Sequence, residues 1–164
     1  MNNRNRNLQK NVNQTKTKNF SNLFYVLFGN TIVNDGIELE LQTVLQAPTY
    51  RFDRMGLANK GKFHTLVMVD PDAPAGFWIH QCIYDIPADN IAYGKTFYEY
   101  APPSPPAGTG KHRYFCILYE QNKEIGEKLV AGKRPYKKYG DFTRKLKVGL
   151  IPKASKFFIC EYGK

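Results

Sequence analysis

The stretch Phe63–Asp70 reads FHTLVMVD, an almost unbroken apolar run that ends at the turn-forming PDAPAG. A strand with one wet face alternates apolar and polar residues, whereas a strand covered on both faces does not. This chain is therefore expected to build a sheet with material packed on both sides. FWIHQCIYDI (77–86), RYFCILYEQ (113–121) and KFFICEYGK (156–164) read as further strands of the same kind. APTYRFDRM (47–55) and IELELQTV (37–44) alternate, the latter placing Ile37, Leu39 and Leu41 on one face after a hairpin-type Asn34-Asp35-Gly36 turn. In FYEY, alternation sets Phe97 and Glu99 opposite Tyr98 and Tyr100. One helix is expected in DFTRKLKVGL (141–150), capped by Asp141, with Phe142, Leu146 and Leu150 on one stripe and Gly149 and Pro152 ending it. Seven or eight strands against one helix predict a mainly β fold.

The 164 residues suit one core, and 42% apolar content supports it without metals or disulfides. No run approaches the roughly 18 apolar residues of a membrane span. Residues 1–19 are Asn-rich and basic without an apolar segment, so they read as a disordered tail rather than a secretory signal or organelle presequence. Residues 20–164 then form a single domain. Cys82, Cys116 and Cys160 sit far apart in apolar runs, which fits small buried hydrophobes in a reducing, cytoplasmic setting and not zinc.

The net charge of +10 is unevenly spread. Five basic groups and no acid lie in the tail. Lys133, Arg134, Lys137, Lys138, Arg144, Lys145 and Lys147 form a second tract against Asp141 alone. Such surfaces attract phosphates of lipid headgroups, nucleic acid or phosphoproteins, or simply stay solvated. No nucleic-acid-binding signature accompanies them, so no specific nucleic-acid partner is expected.

Polar groups gather where three strands end. Asp70 closes VMVD between turn residues, with Asp72 two positions on and Ala73-Pro74 a candidate cis bond. His80 lies in WIHQCIY, where alternation puts it with Trp78 and Cys82. His112 and Tyr114 follow the loop SPPAGTGK. Arg113 points away from both and is expected to pair with a carboxylate such as Asp72. Lys111 reads as a surface charge, His64 as structural or exposed, and Trp78 as core or pocket wall. The set allows a metal triad, an acid–base pair or an anion pocket. It equally allows histidines and a carboxylate that only satisfy strand ends and turns. No nucleophile-elbow Ser or Cys supports covalent hydrolysis.

DPDAP, a Trp and a His on the next strand, and G-x-H-R before an aromatic-rich strand resemble the phosphatidylethanolamine-binding protein family, which includes Raf kinase inhibitor protein and the plant flowering regulators. GTGKHRYFCILYEQ is similar to animal members. DIPA, YAPPSPPAG and DFTRKLKVGLIP are similar to plant members, as is a chain that stops soon after the last strand. The resemblance runs from about residue 30 to 162. It implies a large central antiparallel sheet with a smaller packed sheet and few peripheral helices. It also implies a surface pocket for phosphate-like anions, including the phosphorylethanolamine headgroup. By motif the ligand-binding residues are Asp70, His80, Ser104, Pro106, His112 and Tyr114. Ser104 stands where animal members have Gly, Pro102 replaces another Gly, and Ile79 replaces the first of two adjacent histidines.

The function expected is that of a non-catalytic binding and regulatory protein, without a cofactor and monomeric by family default. Its partners would be a phospholipid headgroup or other phosphorylated ligand, an acidic membrane touched peripherally, and signalling proteins such as kinases. Two other classes are a phosphoester-processing enzyme using His80 and His112, and an interaction protein working through its basic tail and surface.

Overall fold

The computed structural model describes residues 24–52, 61–88 and 90–163. The expected tail over 1–19, most of the loop at 56–62 and the end of APTYRFDRM lie outside them. Among the described residues the strands are β1 Phe24–Phe28, β2 Thr31–Ile32, β3 Ile37–Glu38, β4 Thr49–Phe52, β5 Phe63–Asp70, β6 Phe77–Pro87, β7 Lys95–Tyr98, β8 Lys111–Gln121, β9 Pro135–Tyr136 and β10 Leu150–Glu161. Helix α1 spans Tyr139–Lys145, and short 3-10 turns cover Leu41–Val44 and Ile91–Tyr93.

The large sheet runs β3-β10-β8-β5-β6-β7, with β9 joined to the start of β6. It is antiparallel except where β3 lies parallel to β10. β2, β1 and β4 form a small antiparallel sheet. The mainly β architecture and the large-on-small arrangement are thus as expected.

The reason FHTLVMVD carries no alternation is visible in its neighbours. Leu66 and Met68 pack towards the small sheet with Phe24, Val26, Phe28, Tyr50 and Phe52. Val67 and Val69 pack the other way with Ile79, Tyr84, Phe142 and Leu146, the last two brought by α1 and its C-terminal end. All four β5 residues are fully buried. Each such side chain contributes about 1.5–3 kcal/mol of transfer free energy.

Several local expectations are corrected. Asn34-Asp35-Gly36 does turn the chain, with Ile37 N–H donating to Asn34 O at 3.0 Å, but β2 and β3 enter different sheets. The hairpin is the one at Gly29-Asn30, between β1 and β2. β3 stops after Glu38, with a last bond from Leu39 N–H to Ile159 O at 2.8 Å although β10 runs on to Glu161, and Leu41–Val44 curls instead. Phe97 and Tyr98 do not face opposite ways. A register shift between Cys82 and Ile83 in the β6–β7 pairing lets both rings enter one cluster, 4.6 Å apart. Helix α1 starts at Tyr139, with Lys138 in the cap position and Asp141 inside the first turn, and ends before Gly149. Leu150 and Pro152 belong to β10. Ala73–Pro74 is trans, since no cis peptide bond occurs among the described residues.

Candidate functional site

Asp70, at the end of β5, is buried and has its donors. Its Oδ1 accepts the backbone N–H groups of Asp72 at 2.7 Å and Ala73 at 3.0 Å, which closes the turn after the strand. Its Oδ2 lies 2.7 Å from Nδ1 of His112, the second residue of β8. Nε2 of His112 lies 2.8 Å from Oγ1 of Thr109. The Thr109 hydroxyl also donates to Pro106 O at 2.7 Å. A carbonyl accepts only, so the hydroxyl proton goes to Pro106 and the Thr109 oxygen takes the Nε2–H of His112. One proton then sits between Nδ1 and Oδ2. The Asp70–His112 pair carries no net charge, whether as imidazolium with carboxylate or imidazole with carboxyl. Burial raises the Asp70 pKa, and the His112 contacts oppose that rise without cancelling it.

His80 lies on the opposite face of β6 from Cys82, not on the same one. The β5–β6 register shifts between Met68 and Val69, so β6 carries an extra residue at His80 and its alternation reverses. Cys82 joins the α1-side cluster, while the His80 ring meets Tyr114 edge-on at 5.1 Å. Nδ1 of His80 lies 2.7 Å from Ala101 O, so this nitrogen carries the proton. Burial lowers the His80 pKa to about 4, and Arg134 and His112 add to the fall. The ring is neutral near pH 7, and Nε2 offers a lone pair. Tyr114 is stacked on Phe158 at 5.2 Å and is fully buried. Among the described residues its hydroxyl has no hydrogen-bond partner.

The strand ends thus bring Asp70, His80, His112 and Tyr114 together. Ser104 and Pro106 lie in the loop between β7 and β8, both exposed, while Pro103 and Pro105 are buried and tether it. Pro106 reaches the cluster through Thr109. No hydrogen bond joins Ser104 to the other five among the described residues.

Arg113 braces the turn from outside. Its Nε and Nη2 donate to the two oxygens of Asp72, both at 2.8 Å, and its backbone N–H adds a third bond at 3.0 Å. Burial would raise the Asp72 pKa, but these donors outweigh it and lower it. Lys111 pairs with Glu38 at the surface. His64 is fully buried on β5, next to Phe52, and is not exposed.

Two site residues escaped the sequence reading. Thr109 sits unremarked in GTG. Arg134 belongs by sequence to the basic tract, but its guanidinium turns inward. Nη1 donates to Ile79 O at 2.9 Å and His80 O at 3.0 Å, and Nη2 to Glu99 O at 2.9 Å. It also covers the Tyr98 ring at 5.5 Å. It ties together the carbonyls of Ile79, His80 and Glu99, and His80 O also accepts the Ala101 N–H at 2.8 Å. Nothing in a basic tract marks one arginine as the buried one. Arg134→Ala is expected to cost about 2–4 kcal/mol and to move the His80 imidazole resonances in NMR spectra. A stability within 1 kcal/mol of wild type and unmoved resonances would refute this role.

Around Gly76, in the β5–β6 turn, the backbone of β9 comes so close that a Cβ would lie 2.5 Å from Tyr136 O, and φ is +111°. A glycine is required there. Among the described residues no cluster of three or more His, Cys, Asp or Glu could hold a metal ion. No helix among them is long and apolar enough to cross a membrane.

The sequence pattern of the phosphatidylethanolamine-binding protein family matches residues 31–149. A 26 kDa secreted antigen of Toxocara canis is 36% identical over 112 residues, covering 64% of this chain and 41% of that protein. The chain therefore spans about two fifths of that relative. The fold is similar to a carboxypeptidase Y inhibitor solved in complex with its cognate proteinase (TM-score 0.70, 23% identity, 96% of this chain and 91% of that one). It is also similar to the phosphatidylethanolamine-binding protein of Plasmodium vivax (TM-score 0.62, 18% identity, 84% of each chain).

Proposed function

The chain belongs to the phosphatidylethanolamine-binding protein family, and from that premise we propose a non-catalytic binding and regulatory protein that receives a phosphorylated group at Asp70, His80, His112 and Tyr114. Ser104 and Pro106 form the outer wall. The ligand class is phosphate-like, with the phosphorylethanolamine headgroup as the reference compound. Occupancy of the site would modulate signalling complexes of the kinase type. The three free, buried cysteines suit a cytoplasmic setting, whereas the Toxocara canis relative is named a secreted antigen. Cell fractionation distinguishes the two.

The observation that carries the reading is the Tyr114 hydroxyl. A buried hydroxyl without a partner costs about 1–3 kcal/mol, and its neighbours are Phe158 and the neutral His80. A phosphoryl oxygen accepts such a proton. His112 would add its Nε2–H once the ligand displaces Thr109.

Two variants test this against phosphorylethanolamine, with inorganic phosphate as control, by NMR or calorimetry. Tyr114→Phe is expected to be as stable as wild type or about 1 kcal/mol more stable, while binding weakens roughly tenfold or more. His112→Ala is expected to abolish saturable binding. A wild type that binds neither compound would sink the proposal. So would a Tyr114→Phe protein that loses stability and keeps its affinity.

A further inference from the structure

We propose that the segment 127–138 is a docking surface for an anionic lipid bilayer. Between residues 128 and 140 there is no acid, and Lys128, Lys133, Arg134, Lys137 and Lys138 all fall within it. Arg134 is taken up by carbonyls. The four lysines are exposed and form no ion pair among the described residues, in contrast to Lys62, Lys95, Lys147 and Lys153, each held by a carboxylate. At the tip stands Val130, 88% exposed, followed by the exposed Ala131 and Gly132.

The tip is held at both ends. Tyr84 donates its hydroxyl proton to Glu127 O at 3.0 Å and accepts the N–H of Leu129 at 2.9 Å. Leu129 is buried just before Val130. On the other side the Tyr98 hydroxyl donates to Lys133 O at 3.1 Å, and Arg134 follows with its three bonds. The segment can therefore meet a surface without first being ordered.

A small apolar tip between cations matches the headgroup boundary of an acidic bilayer: the lysines meet the negative surface and the valine enters shallowly. A protein partner is less well matched, because Val130, Ala131 and Gly132 provide no aromatic or arginine anchor. Pro135 pairs with Trp78, which pairs with Asp70. Docking would therefore hold the anion site near headgroup level. That last consequence rests on the function proposed above; the docking itself does not.

The test is flotation of the full chain with phosphatidylcholine vesicles, with and without phosphatidylserine, at low and high salt. Binding is expected only with phosphatidylserine, weakening as salt rises. The Lys128→Glu/Lys133→Glu variant is expected to bind tenfold or more weakly, and Val130→Asp severalfold more weakly. Both should keep wild-type melting and the wild-type response to soluble phosphorylethanolamine, which separates failure of docking from failure of the anion site. Replacing Arg4, Arg6, Lys10, Lys16 and Lys18 by Gln should leave most of the binding. Vesicle binding that vanishes with those five changes, or that ignores Val130→Asp, would overturn the proposal. Binding to an acidic polypeptide with none to vesicles would overturn it in favour of a protein partner.

Discussion

Replacing Asp85 by Ala is expected to lower stability by about 3–5 kcal/mol, the largest effect foreseen for a residue remote from the anion site. Asp85 lies near the end of β6 with φ +50°, and its carboxylate is almost fully buried. Oδ1 accepts from Gln121 Nε2 at 2.9 Å and from Ile125 N–H at 2.8 Å. Oδ2 accepts from Gly126 N–H and Lys95 Nζ, both at 3.0 Å. The Gln121 amide is itself committed: its oxygen accepts from Thr65 and from Asp85 N–H, and its nitrogen also donates to Lys123 O. Removing the carboxylate leaves buried donors unpaired and frees the 122–126 turn from the sheet. Urea unfolding measures the loss, and limited proteolysis should cut first near residues 122–126. Asp85→Asn should cost less, since one carbonyl oxygen survives. A midpoint for Asp85→Ala close to wild type would show the network to be dispensable. Burial would raise the Asp85 pKa, but the four donors outweigh it and lower it. Its stabilisation is thus complete above the unfolded carboxylate value and is lost as pH falls through the lower folded value.

The second large effect is acid destabilisation through His80, in a separate pH window. The unfolded imidazole titrates near 6.5, and burial lowers the folded value to about 4. Between those values the unfolded chain binds a proton that the folded chain refuses, so stability falls as pH drops from 6.5 to 4. Fully developed, the effect is about 3 kcal/mol. His64, lowered mainly by burial, acts in the same sense. Asp70 opposes it: its raised value lets the fold take up a proton first, which restores some stability on acidification. His80→Asn keeps a donor for Ala101 O but cannot titrate. Its unfolding free energy should be flatter than wild type between pH 7 and 4.5. Parallel pH profiles for the two proteins would remove His80 as the linked group.

What the two experiments probe was unequally legible. The Asp70–Asp72 turn and the Arg113 pairing could be read because DPDAP and HR place opposite charges at strand ends, and the fold realises them at 2.8 Å. His112 and Tyr114 could be placed beside Asp70 by the motif. Asp85 passed unnoticed, since one carboxylate in YDIP looks like any loop entry until Gln121 and the 125–126 amides surround it. Alternation puts His80 on the face of Cys82, but it assumes an unbroken ladder and β6 carries an extra residue there.

The sequence by itself determined the mainly β class and the central strands. Long apolar runs between Pro and Gly turns leave few other ways to bury that surface. That a carboxylate and a histidine would meet near β5 and β8 was implied by the resemblance of its motifs to the family, not by pattern or spacing. The tertiary structure alone decided which polar groups were used up and which were left. β3 pairs with β10 over only two residues, and the alternating stretch beyond it curls away into a 3-10 turn. Arg134 leaves the basic face because Ile79, His80 and Glu99 present three carbonyls together. Among the described residues the Tyr114 hydroxyl is left without a partner, its ring stacked on Phe158 and met edge-on by His80. Hydrogen-bond supply and demand is settled between segments far apart in the chain, where a local pattern carries no information.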